Sequence, residues 1–380
     1  MKLKNNIIFK SAIAKNLKQN TFLKKEIESI YKDINLKKNS LNSLGNRFKL
    51  NFDKNELSKF YKFKNIAVIG MGGSILGTKA IYNFLRTKIK KSFLFYDNLD
   101  NDKLNLLNKS SKKMLYILVS KSGDTLETLT NINFVKKKLS KKNTIIICEN
   151  NKSKLTKFAT KSKILHIKHR SYLGGRYSVL SEVGMLPSYL MGLNVEKIRK
   201  NLLLYLKAKK SLLVKNVNVL SKIFSSTKYR SVILLNYDIK IESFLFWLQQ
   251  LLGESLGKHK KGLLPLISLA PKDHHSLLQL YLDGPKDKLF YIFYSNLKNK
   301  KINKIISAQK DALKKVFVKK KIPFREIEIK NYNEDTLGEL FSYFILETAL
   351  LGRMMNINPF DQPAVEEVKK VTKNLLFKRK

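Results

Sequence analysis

Apolar residues along this chain follow two alternating patterns, short β-branched runs and longer segments with helical spacing. The short runs predict strands at 66–69, 92–96, 115–119, 144–148 and 163–166. The longer segments predict helices at 74–85, 125–139 and 152–160. Strands that alternate with helices are typical of right-handed crossovers, so we expect a mostly parallel sheet covered on both faces.

The same alternation returns in the second half of the chain. Strands are predicted at 231–235, 263–269, 290–294 and 324–329, and helices at 239–252, 302–319 and 335–354. A helical bridge at 195–226, which contains neither Gly nor Pro, separates the two halves. Helical patterns also precede the first strand and follow Pro359.

These elements predict an α/β protein with two α/β sandwich domains, mostly parallel sheets and a C-terminal helix. The expected divisions are a helical lead-in at 1–40, a first domain at 41–194, a second domain at 195–358 and the terminal helix at 359–380. No low-complexity linker separates the halves, so we expect them to pack against each other.

Composition supports a folded, intracellular protein. The 380 residues are 43% hydrophobic, which is enough apolar surface for two cores. No apolar run resembles a signal peptide or is long enough to cross a bilayer, which predicts a cytoplasmic protein with no membrane association. The single cysteine, Cys148, cannot form a disulfide within the chain, which fits a reducing compartment.

A formal net charge of +46 raises nucleic-acid binding as an alternative function. However, the charge is carried mainly by lysine and is spread along the whole chain, which favours a solvated lysine surface. We therefore predict no nucleic-acid partner, and a salt-dependent filter-binding assay would test that alternative. The positive field would still attract an anionic substrate.

Two turns join a predicted strand to a predicted helix and could bind an anion. One is GMGGSILG at 70–77, and the other is SKSGDT at 120–125. Glycines allow close backbone approach, and the free amides and hydroxyls at a helix start favour phosphate. Each has a simpler interpretation, tight packing for the first and helix capping by Ser122, Asp124 or Thr125 for the second. Both follow strands of one parallel sheet, so a shared anion site is favoured.

Six segments occur in an order that resembles the glucose-6-phosphate isomerase family. They are GGS at 72–74, SKSGDT at 120–125, GGRYS at 174–178, GESLGK at 253–258, His275 and FDQPAVEEVK at 360–369. The resemblance implies two sugar-isomerase domains, a homodimer with sites shared between subunits, and no metal or other cofactor. It also implies reversible interconversion of glucose 6-phosphate and fructose 6-phosphate through a cis-enediol intermediate.

The resemblance implies a catalytic role for four residues. Glu254 is implied to be the base that moves a proton between C2 and C1, and a carboxylate at the end of an apolar helix suits that task. The alternative is an ordinary helix-end carboxylate paired with Lys258. Arg176 is implied to stabilise the enediolate, a task for which a fixed guanidinium is well suited, although a structural ion pair is its alternative.

The two remaining roles concern ring opening. His274 and His275 are adjacent and cannot face the same way on a helix, and the resemblance selects His275, contributed by the neighbouring subunit, leaving His274 as a cap or surface residue. Lys369 is implied to assist ring opening, although a lysine beside Lys370 would ordinarily be solvated.

Hexose 6-phosphate binding is implied for a further set of residues. These are Gly73, Ser74, Ser120, Lys121, Ser122, Thr125, Gln250 and Gln362. Gln250 precedes Glu254 by one helical turn and should share its face. Two related functions stay open: an isomerase that also accepts mannose 6-phosphate, and a non-catalytic sugar-phosphate sensor, which would need neither Glu254 nor Arg176.

Overall fold

The structure, a computed structural model, describes residues 6–13, 21–295 and 301–377. Its strands are β1 (Ile7–Ser11), β2 (Asn65–Ile69), β3 (Ser92–Tyr96), β4 (Met114–Val119), β5 (Thr144–Cys148), β6 (Leu165–Lys168), β7 (Ser231–Asn236), β8 (Leu264–Leu269), β9 (Lys288–Ser295) and β10 (Phe324–Ile329).

Helices separate most of these strands. They are α1 (Thr21–Asn35), α2 (Lys54–Ser58), α3 (Leu76–Phe84), α4 (Asn101–Lys109), α5 (Leu126–Val135), α6 (Lys154–Lys161), α7 (Glu182–Leu190), α8 (Val195–Arg199), α9 (Lys210–Phe224), α10 (Glu242–Leu256), α11 (Leu278–Asp283), α12 (Lys301–Lys319), α13 (Glu334–Met354) and α14 (Ala364–Phe377). Within the described residues, every helix is too short or too polar to cross a bilayer.

The strands form two five-stranded sheets. The first sheet has the order β3-β2-β4-β5-β6, and all of its neighbouring strands are parallel. The second sheet has the order β8-β7-β9-β10-β1, and it is parallel except at its edge. There β1 pairs antiparallel with β10, with Ile7 opposite Ile329. The predicted α/β class, with mostly parallel sheets and a C-terminal helix, is confirmed.

One apolar core joins the two sheets. Alternate side chains of a strand point to opposite faces, so each sheet contributes one face to it. On β2, Ile66 and Val68 enter the shared core, and on β9 Leu289, Tyr291 and Phe293 do the same. The opposite faces pack under their own helices in two smaller clusters. The two halves therefore pack against each other through buried surfaces.

Two expectations about the helical regions are wrong. The lead-in is not purely helical, because residues 7–11 form β1 and extend the second sheet; residues 1–5 and 14–20 lie outside the described part of the chain. The bridge at 195–226 is not one helix, because α8 and α9 are separated by turns. In those turns the leucine-rich run 202–206 is buried at every position, so it has no polar face of the kind that a surface helix exposes.

Candidate active site

The glycine loop, which lies in the GMGGSILG segment at 70–77 after β2, packs its backbone closely against two other segments. A Cβ placed on Gly73 would lie 2.1 Å from the carbonyl carbon of Gly175 and 2.5 Å from the amide nitrogen of Arg176. Gly72 has a φ of +51°, and a Cβ there would lie 2.8 Å from Nε2 of Gln250. The loop is therefore packed between the Arg176 segment and α10, with no room for side chains at these two positions.

The hydroxyl-rich turn after β4 lies beside the glycine loop at the carboxyl edge of the first sheet. A Cβ on Gly70 would lie 2.8 Å from the carbonyl oxygen of Val119, the residue before Ser120. Ser120 is buried, and its Oγ lies 2.9 Å from Oγ1 of Thr125 and accepts from the amide of Gly123 at 3.2 Å. The turn thus gathers hydroxyl groups close to the glycine loop.

The hydroxyl groups of this turn do not cap α5. Its N-cap residue, Thr125, makes no side-chain cap hydrogen bond. Asp124 accepts instead from the amide of Lys154, at 2.9 Å, and the Ser122 hydroxyl accepts from the amide of Asp124, at 3.2 Å. The capping alternative for this turn is therefore wrong, and Ser122 is exposed.

Lys121 adds a cation to the same turn. Its ammonium lies 3.8 Å from the Glu149 carboxylate. Burial lowers the pKa of Lys121; the Glu149 charge opposes this shift and the positive charge of Arg176 adds to it.

Arg176 occupies a buried position in the 3-10 helix Gly175–Leu180, with 2% of the residue exposed. Its Nε donates to Ser255 Oγ at 2.8 Å, and Nη1 donates to Glu254 Oε2 at 3.1 Å and to Gln362 Oε1 at 2.8 Å. Nη2 donates to the carbonyls of Pro359 and Asp361, at 2.7 and 2.8 Å. All N–H donors of the guanidinium therefore have acceptors, which fixes its plane.

Glu254 lies in the last turn of α10 with 31% of its side chain exposed. Its Oε2 accepts from Arg176, and its Oε1 accepts from Gln250 Nε2 at 2.9 Å. The side chain is held from one side and open on the other. Among the described residues, the buried Oε1 of Gln250 has no hydrogen-bond partner. The carboxylate is thus oriented and accessible, as a general base needs to be.

Two predicted ring-opening residues are not in contact with this group within the described part of the chain. Lys369 lies on α14, has 57% of its side chain exposed and pairs with Glu366 at 2.7 Å. His275 is exposed in the 3-10 turn Lys272–His275, which follows the edge strand β8. His274 is not a free surface residue, because its Nε2 lies 2.8 Å from the Tyr237 hydroxyl and burial lowers its pKa.

Two further residues belong to this network and were not predicted. Ser255 is fully buried, and its hydroxyl lies between Arg176 and the Tyr177 hydroxyl, which is 2.9 Å away. Lys258 pairs with Asp361 at 2.7 Å, so the alternative in which it pairs with Glu254 is wrong. Both lie in the GESLGK segment at 253–258, and this motif is the sequence feature from which they could have been predicted.

The arrangement joins an anion cradle to a carboxylate and a guanidinium. Five of the predicted residues, Gly73, Arg176, Gln250, Glu254 and Gln362, are connected by contacts or hydrogen bonds, and Gly70 links them to the hydroxyl turn. The described residues contain no cluster of three or more His, Cys, Asp or Glu side chains that could hold a metal ion. The site can bind a phosphate at the sheet edge and move a proton at the carboxylate.

The sequence is similar to isomerases of one family. The sequence model described as Phosphoglucose isomerase matches residues 11–263. A glucose-6-phosphate isomerase of Methanocaldococcus jannaschii is 34% identical over 341 residues, covering 83% of this chain and 84% of the relative. That of Acholeplasma laidlawii is 30% identical over 96% of this chain and 98% of its own.

Solved structures give the same architecture. A crystal structure of a glucose-6-phosphate isomerase from Chlamydia trachomatis superposes with a TM-score of 0.77 at 18% identity, covering 98% of this chain and 89% of that one. A tagatose-6-phosphate ketose/aldose isomerase from Escherichia coli has a TM-score of 0.56 at 12% identity, over 92% of this chain and 98% of that chain. At these identities the likeness establishes the fold.

Proposed function

The chain belongs to the phosphoglucose isomerase family and interconverts glucose 6-phosphate and fructose 6-phosphate, and we propose that it does so at the carboxyl edge of the first sheet. One observation carries this assignment of the site. The glycine loop touches the Val119 end of β4, Gln250 on α10 and the amide of Arg176, so a substrate anchored at this loop is close to Glu254.

Phosphate binding is proposed for the two turns. The hydroxyls of Ser74, Ser120, Ser122 and Thr125, the Lys121 ammonium and the amide of Gly73 share the dianion. Hydroxyl and amide donors at a helix start match phosphate oxygens, which only accept hydrogen bonds. The substrate's own charge then offsets the burial that lowers the pKa of Lys121, so the lysine is held in its charged form.

Proton transfer is proposed for Glu254. The carboxylate removes the proton from C2 of the open-chain aldose, the C2 electron pair forms the C1–C2 double bond, and the carbonyl oxygen O1 gains negative charge. The hydroxyl proton of O2 passes to O1, the O2 electron pair forms the carbonyl at C2, and the electron pair of the C1–C2 double bond takes the proton back from Glu254 at C1. Gln250 holds one carboxylate oxygen in place.

Stabilisation of the enediolate is proposed for Arg176. Its N–H groups already have acceptors, so it acts through a fixed positive charge from a buried position next to Glu254. Gln362 is proposed to contact the substrate from its position beside Glu254 and Arg176.

A homodimer with shared sites is proposed for ring opening, in which His275 of each subunit serves the other's site and Lys369 assists. The support is a set of exposed apolar residues on β8, the strand that the His275 turn follows, and on α10, which packs against β8. Leu264 and Leu266 on the edge strand β8 are 62% and 41% exposed, and Phe246 on α10 is 43% exposed. Apolar surface of this kind marks protein contacts. We further propose that the protein works in the cytoplasm and that residues 41–194 and 195–358 form its two domains.

The base assignment is tested by Glu254→Gln in a coupled assay of fructose 6-phosphate conversion without added metal. We expect turnover to fall by about 1,000-fold or more, because an amide cannot accept the C2 proton. The matched control is Glu242→Gln, at the first turn of the same helix, which should retain full turnover. Retained turnover in Glu254→Gln would remove it as the base.

The shared site is tested by mixing two inactive variants. A heterodimer of Glu254→Gln and His275→Ala has one site with both residues intact, so random exchange should restore about a quarter of the wild-type activity. Subunits are mixed under mild denaturant, refolded and assayed. Absence of any recovery, with exchange verified by tagged subunits, would show that His275 does not serve the neighbouring site.

A further inference from the structure

Two cations converge on one short segment between α13 and α14. The carbonyl oxygen of Asp361 accepts from Arg176 Nη2 at 2.8 Å and from Lys258 Nζ at 2.7 Å. Lys258 also donates to the Asn358 carbonyl and, at 2.7 Å, to Oδ1 of Asp361. The carbonyl of Pro359 accepts from Arg176. The segment 358–361 is therefore held by the arginine and the lysine together.

The lysine lies where it can act on the proposed catalytic group without touching it. Lys258 follows the end of α10, the helix that carries Glu254, and only 9% of its side chain is exposed. Gln362, the residue after Asp361, accepts from the same nitrogen of Arg176 that donates to Glu254. If the segment 358–361 moved, the carbonyl groups of Pro359 and Asp361 that accept from the Arg176 guanidinium would move with it.

The positive charge of Lys258 has a second effect, on the carboxylate of Asp361. The Asp361 carboxylate is 52% exposed and is paired with Lys258. The pKa of Asp361 is lowered by the hydrogen bond from Lys258 and by the charge of that lysine. A hydrogen bond from Asn358 and the charge of Arg176 lower it further. Without the lysine, an unpaired carboxylate would remain beside Arg176 and compete with Glu254 and Gln362 for it.

We propose that Lys258 is a positioning residue of the isomerase site, which binds Asp361 and so keeps the Arg176 guanidinium directed at Glu254 and Gln362. This inference rests on the proposed function. Lys258 acts through Arg176 and contacts no reacting atom, so its loss affects turnover more than substrate binding.

The test compares Lys258→Met with Lys258→Arg in the fructose 6-phosphate assay. For the methionine variant we expect kcat to fall about 10- to 100-fold, because small misplacements of catalytic groups have effects of this size. KM should stay within about 2-fold, since the phosphate cradle is untouched. The arginine variant keeps the charge and should stay within about 3-fold of the wild type in kcat.

A double variant separates neutralisation of Asp361 from simple loss of packing. Lys258→Met with Asp361→Asn removes both charges and should recover kcat by about 3-fold or more over Lys258→Met alone, as coupled residues do. The matched control is Lys261→Met, which removes a nearby lysine that donates to the Met355 carbonyl at 2.8 Å, and it should leave kcat unchanged.

Several results would overturn the proposal. These are an unchanged kcat in Lys258→Met, a raised KM with normal kcat, no recovery in the double variant, or an equal loss in Lys261→Met. Loss of the circular dichroism signal in Lys258→Met would overturn it too, by showing a role in the whole fold. An inactive wild type would instead refute the proposed function, so the two failures are distinguishable.

Discussion

The two sheets share a strand order but end differently at their carboxyl edges. In the first sheet β2 is followed by a glycine loop and β4 by Ser120, whose hydroxyl faces Thr125. In the second sheet the corresponding strands are β7 and β9. There Asp238, 8% exposed, follows β7 and accepts from the hydroxyls of Ser295 and Tyr332 and from the amide of Lys240.

This difference indicates which features let the carboxyl edge of a sheet bind an external anion. Both edges gather hydrogen-bond donors, as parallel strand ends tend to do. At the second edge the donors serve a carboxylate of the chain itself, so they are already satisfied. At the first edge the glycine loop packs closely against Arg176 and α10, and the proposed ligand of the hydroxyls is external. We therefore propose that the same architecture carries an anion site in one half and an internally satisfied edge in the other.

The largest effect that would test this comparison comes from displacing the glycine loop at the first edge. Gly73→Ala places a methyl group 2.1 Å from the Gly175 carbonyl carbon, so the backbone must shift. We expect kcat/KM to fall about 100-fold, because the glycine loop moves relative to Arg176. Gly175→Ala is the matched control, since its Cβ would lie 3.5 Å from Gly73, an ordinary contact. Equal losses in both variants would contradict the asymmetry.

A smaller effect comes from removing one serine hydroxyl at each edge. Ser120→Ala should raise the KM for fructose 6-phosphate about 10-fold, the value of one hydrogen bond to a charged group. Ser295→Ala should leave KM unchanged and lower the free energy of unfolding by about 1–3 kcal/mol, because a buried carboxylate loses a donor. Steady-state kinetics and urea unfolding of both variants are the measurements. A raised KM in Ser295→Ala would mean that the second edge also serves the substrate.

The strands were the most predictable part of the fold. Residues 92–96, 144–148 and 324–329 form strands with the predicted bounds. The first two are short runs rich in apolar residues with clear ends, whereas 324–329 mixes Phe and Ile with Arg and Glu. The edge strand β1 was missed, since a five-residue run beside lysines becomes a strand only through its pairing with β10. Helix α7 was missed because Pro187 interrupts its pattern.

Five of the predicted site residues lie together in the structure, but the contacts between them were not predictable from the sequence. Glycine and hydroxyl turns after parallel strands have a physical meaning that the sequence alone conveys. The pairing of Arg176 with Glu254, and of Lys258 with Asp361, joins residues far apart in the chain. The first pair depends on how α10 packs against α3 and the Arg176 segment. Local spacing favoured Lys258 as the alternative partner of Glu254, and long-range packing decided otherwise.

The antiparallel strand at the edge of the second sheet has a consequence for synthesis of the chain. β1 is translated long before its partner residues on β10. The first sheet, by contrast, can close once residue 168 has emerged. We expect the nascent chain to carry a finished first sheet beside an unpaired β1, which is exposed to chaperones until β10 has emerged.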